Sequence, residues 1–409
     1  MILSSSKLIT MQGAAPLTNG AVAMRFGSIL DAGPAEKIIA KYPGHGVVHL
    51  GNAVLLPGLI NLHVHLELPP LLDSIRANTF PDWVANLIGK KRGLTSGDYS
   101  RAARQNAKTL IRTGTTTVAD ICTHTVSPAI LQESGLRAFI FYEIIFMNPS
   151  SLVPRLSSLI SSPSSRRIRT GISPHACYTV SEAALSAINL FSQKKDIRLA
   201  MHVAESKDEV RFLQRNRSGF ERLYRAAGWD PAWAPTADSP FEYLHRLGLL
   251  GPKFLAVHAV QATDKDIRLL DKSRVPVAHC PRSNKETGVG RMPLKKFLDA
   301  GITVGLGTDS LASSPSLNMW DEMRYALQIH RRDGITAEDV LRLATIDGAK
   351  ALGMEREIGS LEPGKKADII AVPLPGKKTG DFYSDLIGET KSCIMTVVNG
   401  RILHDKQCC

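Results

Sequence analysis

The stretch Leu55-Leu56-Pro57-Gly58-Leu59-Ile60-Asn61-Leu62-His63-Val64-His65 decides the reading of this chain. It is a short apolar run ending in two histidines. From Leu55 onward such runs alternate with amphipathic helical stretches, the pattern of a parallel sheet covered by crossover helices. Candidate strands fall at Gly58–His65, Thr115–Ile121, Arg137–Ile145, Ile168–His175, Arg198–Val203, Phe254–Val260, Val275–Cys280 and Thr303–Asp309. Eight runs over about 250 residues match a closed (β/α)8 barrel, with a doubly wound open sheet as second choice. Cap signals between them support helices: Thr263-Asp264-Lys265-Asp266, Ser181-Glu182 ahead of Ala183–Phe191, and Thr336-Ala337-Glu338-Asp339 ahead of Val340–Ala344.

Both ends of the chain read differently. Ala21–Phe26 and Val47–Leu50 near the amino terminus, with Asp368–Val372, Cys393–Val398 and Arg401–Leu403 near the carboxyl terminus, are strand-like pieces between turns. They predict one small β domain assembled from residues 1–56 and 359–409 around a barrel of residues 57–358. The fold class expected is therefore α/β. The Ser-rich stretch Ser157–Ser165 reads as a loop within the barrel.

A chain of 409 residues with 44% hydrophobic and 22% charged residues has the composition of a globular protein. The net charge of +12 is scattered, with only short clusters at Lys90-Lys91-Arg92 and at Arg166-Arg167 with Arg169, so it predicts a solvated surface and no nucleic-acid partner. Six cysteines (Cys122, Cys177, Cys280, Cys393, Cys408, Cys409) form no C-x-x-C pair, and no secretory leader pattern opens the chain. No run approaches the roughly 20 apolar residues that cross a bilayer. The expectation is a soluble cytoplasmic protein without a membrane partner; the oligomeric state is left open, a homo-oligomer included.

Of twelve histidines, His63, His65, His175, His202, His258 and His279 fall at the carboxyl ends of apolar strands, where barrel enzymes build their sites. Any one of them alone reads best as a satisfied core or surface residue; their shared placement argues otherwise. His63 and His65 lie two apart on a strand and point to one side. His202 adds a third neutral nitrogen and Asp309 a carboxylate, a set that suits one divalent metal ion, Zn2+ first and Fe2+ second, with a position left for water. Glu205 becomes a proton carrier only if the strand ends near Val203 and the chain turns; otherwise it is a first-turn glutamate favoured by the helix dipole. His258 is placed to orient or deprotonate the water. His279 and Cys280 read as structural.

These residues resemble the chlorohydrolase and nucleoside-type deaminase branch of the amidohydrolase superfamily. The resemblance rests on Pro57–His65, Gly114-Thr115-Thr116-Thr117, His202-Val203-Ala204-Glu205, Cys280-Pro281-Arg282-Ser283-Asn284, Gly307-Thr308-Asp309-Ser310 and the tail Gly359–Asp368. It implies a TIM barrel with a small β-sandwich domain built from both chain ends, His63, His65, His202 and Asp309 as metal ligands, and Glu205, His258 and Asp309 as catalytic residues. Gly171-Ile172-Ser173-Pro174-His175 lacks the lysine that binuclear members carry, so a single ion is implied. His175 resembles a substrate-contacting histidine of S-adenosylhomocysteine deaminases. Glu67 and Phe80-Pro81-Asp82-Trp83 are similar to the subgroup that deaminates aminodeoxyfutalosine in the alternative menaquinone route. Substrate contacts are thus implied for Glu67, Trp83 and His175, against a loop cap for Glu67 and helix packing for Trp83. Ser283 and Asn284 equally suit turn hydrogen bonds.

The activity implied is hydrolytic deamination of an aminopurine nucleoside derivative, aminodeoxyfutalosine first, then S-adenosylhomocysteine, methylthioadenosine or adenosine. The alternatives are dechlorination or deamination of another heterocycle at the same site and, more remotely, a non-catalytic barrel scaffold. The cytidine-deaminase fold is disfavoured: His65-Leu66-Glu67 mimics its H-x-E half, but P-C-x-x-C is absent.

Overall fold

The structure, a computed structural model, describes residues 1–145, 152–160, 165, 167–216, 218–229 and 235–406. The chain opens with β1 (Ile2–Leu8), β2 (Leu17–Arg25), β3 (Ser28–Pro34), β4 (Val47–His49) and β5 (Ala53–Pro57). The barrel strands follow: β6 (Leu59–Val64), β7 (Thr115–Cys122), β8 (Arg137–Ile144), β9 (Ile168–Pro174), β10 (Arg198–Val203), β11 (Phe254–His258), β12 (Val277–His279) and β13 (Val304–Leu306). Three strands end the chain, β14 (Ile369–Pro373), β15 (Met395–Val398) and β16 (Arg401–Asp405).

The eight middle strands pair in chain order from β6 to β13, all parallel, each within a residue or a few of its expected place. Alternation decides which face of each strand is buried against what. Val118 and Ile140 pack on Ala103, Ala107 and Leu110 of the helix Ser96–Arg112, whereas Ala119, Ile121, Phe139 and Phe141 join Leu255 and Val257 in a second cluster. The ring closes between first and last strands, where Val64 pairs with Asp309 and the Asp309 N–H donates to the His63 carbonyl at 2.9 Å. Asn61 secures this seam, its side chain donating to Thr308 Oγ1 at 2.7 Å and accepting the Thr308 N–H at 3.1 Å. Gly307 is required beside it, because a Cβ there would lie 2.8 Å from the His63 Cβ.

The expected caps are present. Thr263 and Thr336 form reciprocal capping boxes with Asp266 and Asp339, and Ser181 accepts the Ala184 N–H. One expectation is corrected: Ser157–Ile160 ends the helix Leu152–Ile160, whose apolar residues Leu152 and Leu156 recur at helical spacing and are buried, so serine content misled. The remainder of that stretch apart from Ser165, together with Arg166, Cys408 and Cys409, lies outside the described residues. Cys122, Cys177, Cys280 and Cys393 are buried and free. Among the described residues no helix is long and apolar enough to cross a membrane.

The end strands form a separate sheet in the order β16-β15-β14-β5-β1-β2-β3, with β4 beside β1. Leu3, Val22, Ile29, Leu55, Ile369 and Val397 gather in one apolar cluster, so both chain ends share a core. Arg137 on β8 ties this sheet to the barrel: Nε and Nη2 donate to Asp368 Oδ2 and Oδ1 at 2.8 and 3.0 Å, and the Asn399 N–H also donates to Oδ1. Both side chains are almost wholly buried. Removing one partner strands a charge in the interior, so Arg137→Leu is expected to lower unfolding free energy by about 3–5 kcal/mol in urea titration. A loss below 1 kcal/mol would show that the pair does not join the two parts.

Candidate metal centre and active site

Backbone positions in the left-handed region shape the mouth of the barrel. Ala204 (φ 52°) follows β10, His258 (φ 72°) ends β11, and Asp309 (φ 57°) follows β13. Such residues cost roughly 1–2 kcal/mol each and persist where surrounding structure enforces them. The turn at Ala204 answers the condition set for Glu205. The strand stops at Val203, the chain reverses its facing, and Ser206 caps the helix Lys207–Leu213. Glu209 Oε2 accepts the Glu205 N–H at 2.9 Å and so fixes the turn.

His63, His65 and His202 each present a ligand atom within 4.8 Å of the others, as do His63, His258 and Asp309. Asp309 Oδ1 stands 3.4 Å from His63 Nε2 and 3.5 Å from His65 Nε2. These separations are long for hydrogen bonds but match the edge of a coordination tetrahedron, in which ligands about 2.0–2.1 Å from an ion lie roughly 3.3 Å apart. Both nitrogens of buried His63 lack a hydrogen-bond partner, and so does Nε2 of His258. His202 Nδ1 faces the His175 carbonyl at 3.0 Å, an oxygen that only accepts, which places the proton on Nδ1 and leaves Nε2 as a lone pair. Unpartnered imidazole nitrogens beside a carboxylate fit a divalent ion, with His63, His65, His202 and Asp309 as its holders.

The layer behind these groups is equally ordered. Asp309 Oδ2 accepts from Ser283 Oγ at 2.6 Å and Ser313 Oγ at 2.7 Å, leaving Oδ1 turned to the histidines. Asn284 Oδ1 lies 2.8 Å from His258 Nδ1, so Nε2 of His258 is the free nitrogen, 3.6 Å from Glu205 Oε1. For Ser283 and Asn284 the sequence leaves turn hydrogen bonds as an equal alternative; the structure sets them on Asp309 and His258. Ser313 was not singled out, and its only signal is its place four residues after Asp309.

Electrostatics sort these groups into roles. Burial pushes His63 and His65 down to about 4 and His258 to about 3, so all three are neutral at pH 7. Burial opposes the charge of Asp309, yet the imidazoles crowded around it, His63 first and then His65 and His258, hold it well below the usual carboxylate range. Glu205 goes the other way: burial, then the charges of Asp309 and Glu209, raise it well above 4.5.

The cavity above the cluster is lined by His65, His175, His202, Glu205, His258 and Asp309 on its polar side and by Phe80, Trp83, Leu87 and Ile88 on its apolar side. Trp83 thus lines the cavity, its ring stacked on Phe80 at 5.9 Å, and His175 lines it with Nδ1 held by Thr179 Oγ1 at 2.8 Å. Glu67 does not line it. Its carboxylate is buried and accepts the N–H groups of Thr123, His124, Val126 and Ser127, the last two at the start of the helix Ser127–Ser134. The substrate contact expected for Glu67 is corrected to a remote helix cap, because backbone donors already occupy both oxygens. His279, the last residue of β12, pairs with His330 at 3.1 Å between ring nitrogens and does not line the cavity.

Two outcomes follow. Zn2+ uptake by metal-stripped protein is expected at pH 7 and should fall away as the pH drops through about 4, where His63 and His65 bind protons in place of the ion; uptake undiminished at pH 3 would contradict the ligand roles. Glu67→Ala, which strands four backbone donors, should lower the melting temperature by several degrees without altering ion content, read by calorimetry and elemental analysis.

Residues 54–403 match the amidohydrolase family. The chain is 31% identical to a 5-methylthioadenosine/S-adenosylhomocysteine deaminase of Moorella thermoacetica, over 94% of this chain and 89% of that one. Among solved structures, an adenosine deaminase of Xanthomonas campestris with bound zinc superposes with a TM-score of 0.83 at 25% identity, covering 98% of this chain and 92% of the other. The fold is also that of Helicobacter pylori aminofutalosine deaminase in complex with methylthio-coformycin, with a TM-score of 0.88 at 22% identity, over 98% and 99% of the two chains. With the barrel, the histidine and aspartate cluster and a match over most of its length, this chain belongs to the amidohydrolase family and is a hydrolase of C–N bonds.

Proposed function

We propose that the protein hydrolytically deaminates an adenine nucleoside derivative, with 6-aminodeoxyfutalosine the first substrate and S-adenosylhomocysteine, methylthioadenosine and adenosine after it. The observation that carries this reading is the pairing of two proton carriers of opposite state beside the ligand cluster: Glu205, raised by burial into its acid form, lies 3.6 Å from the neutral Nε2 of His258. Enzymes separate acid from base in this way by environment. The deaminase relatives supply the substrate class. Lys91, half-buried in the cavity among Leu87, Ile88 and Leu223, suits a substituent that is apolar and ends in a carboxylate, as that of 6-aminodeoxyfutalosine does.

His63, His65, His202 and Asp309 would hold the divalent ion, which as a Lewis acid lowers the pKa of a water when bound. His258 takes the water's proton on Nε2 as the oxygen bonds to the amino-bearing ring carbon, while Asn284 keeps the imidazole in the accepting tautomer. Glu205 donates its proton to the adjoining ring nitrogen. His258 then returns its proton to the amino group while the Glu205 carboxylate takes the proton of the new hydroxyl, and the C–N bond breaks to release ammonia and leave the 6-oxopurine. Trp83 and Phe80 wall off the apolar side and exclude bulk water.

The test is ammonia release from metal-loaded protein given adenosine, methylthioadenosine, S-adenosylhomocysteine and 6-aminodeoxyfutalosine. Release is expected, fastest from the last; none from any of the four would remove the reading. Asp309→Asn should cut kcat by more than about 100-fold with the circular-dichroism spectrum unchanged, since it removes a ligand without removing core volume. The pH dependence has a definite sign. Glu205 acts in its protonated form and its pKa is raised, so kcat/KM should decline as the pH rises through a value well above 4.5, and Glu205→Gln should abolish that limb along with about 100-fold or more of the rate.

A further inference from the structure

We infer that Glu143 is the specificity residue that receives the sugar hydroxyls of the substrate, an inference that rests on the nucleoside reading above. Glu143 stands one residue before the end of β8 and lines the cavity beside His65 and His175. It is 6% exposed. Thr123 Oγ1 donates to its Oε2 at 2.7 Å. Among the described residues no other hydrogen bond reaches the carboxylate, and Oε1 keeps access to the cavity. Burial opposes its charge, but His175, His65 and Lys91 push its pKa down to about 2, so an ionised carboxylate keeps one oxygen open to a further donor.

A second ion is not that donor's substitute. Glu143, His175 and His202 do bring ligand atoms within 4.8 Å of one another. His202, however, spends Nδ1 on the His175 carbonyl and has one nitrogen left, which serves with His63 and His65. Two groups remain, short of the three protein ligands of a catalytic ion site.

Ring topology says which part of a substrate Glu143 meets. In the order β6 to β13, β8 is third, and β12 opposite it is flanked by β11 and β13, which lead to His258 and Asp309. A substrate whose reacting carbon lies at those two residues therefore meets Glu143, beside His175 and His202, with the other side of its ring system. In an adenine nucleoside the donors on that side are the sugar hydroxyls, and the two lone pairs of Oε1 suit a vicinal pair.

The test compares the fastest adenine nucleoside with its 2′,3′-dideoxy counterpart. Wild-type protein is expected to favour the diol by about 10- to 100-fold in kcat/KM, the worth of a hydrogen bond to a charged group. In Glu143→Gln that ratio should collapse toward one, chiefly through KM of the diol, with ion content per chain unchanged by elemental analysis. A wild-type enzyme indifferent to the diol overturns the inference while the deaminase reading stands, and this comparison needs no folded variant. A ratio unchanged in the variant, or collapsed together with loss of the ion, also overturns it. Failure of wild-type protein to release ammonia from any adenine nucleoside removes the parent reading and this one with it.

Discussion

The site depends on the seam that closes the barrel. His63 and His65 come from the first strand and Asp309 from just beyond the last, and the Val64–Asp309 pairing brings them to 3.4 and 3.5 Å. That approach is possible because Gly307 carries no Cβ to meet His63, and because Asn61 satisfies both polar groups of Thr308 inside the joint. A barrel that failed to close here would still bury most of its apolar residues, yet its ligands would belong to two separate edges. Closure is thus the step at which a packing problem becomes a chemical site.

The same burial that stabilises the barrel makes the mouth electrostatically costly. Imidazoles without partners, an acid form at Glu205 and left-handed backbone at Ala204, His258 and Asp309 each work against folding. A ligand that binds only the folded arrangement offsets such costs, which links ion binding to stability as well as to chemistry. Ser283, Ser313 and Asn284 limit the remaining freedom by fixing which oxygen or nitrogen of Asp309 and His258 faces inward, and Glu209 holds the turn that carries Glu205.

The barrel was legible because its strands are short runs rich in apolar or β-branched residues, six of the eight with a histidine or aspartate at or just beyond the end, a signal that local composition carries. The end sheet was only half legible. β1 hides its alternation behind Ser4-Ser5-Ser6, and β5 runs into β6 with only Gly58 between, where a Cβ would come within 2.1 Å of Thr116. The convergence of His63, His65, His202 and Asp309 could be read from strand ends. The roles of Glu67, Ser283, Asn284 and Glu143 could not, because each is decided by which residue far along the chain it meets: Glu67 finds its donors 56 to 60 positions away. A carboxylate that caps a helix and one that faces a substrate are the same letter in a sequence.

The central claim is that one divalent ion is gripped by His63, His65, His202 and Asp309. Anomalous diffraction from crystals of the zinc-loaded protein tests it most directly. The account predicts a single strong peak about 2.0–2.2 Å from three imidazole nitrogens and one oxygen of Asp309. A peak held by Glu143 and His175 instead, or no peak at the seam, would contradict it.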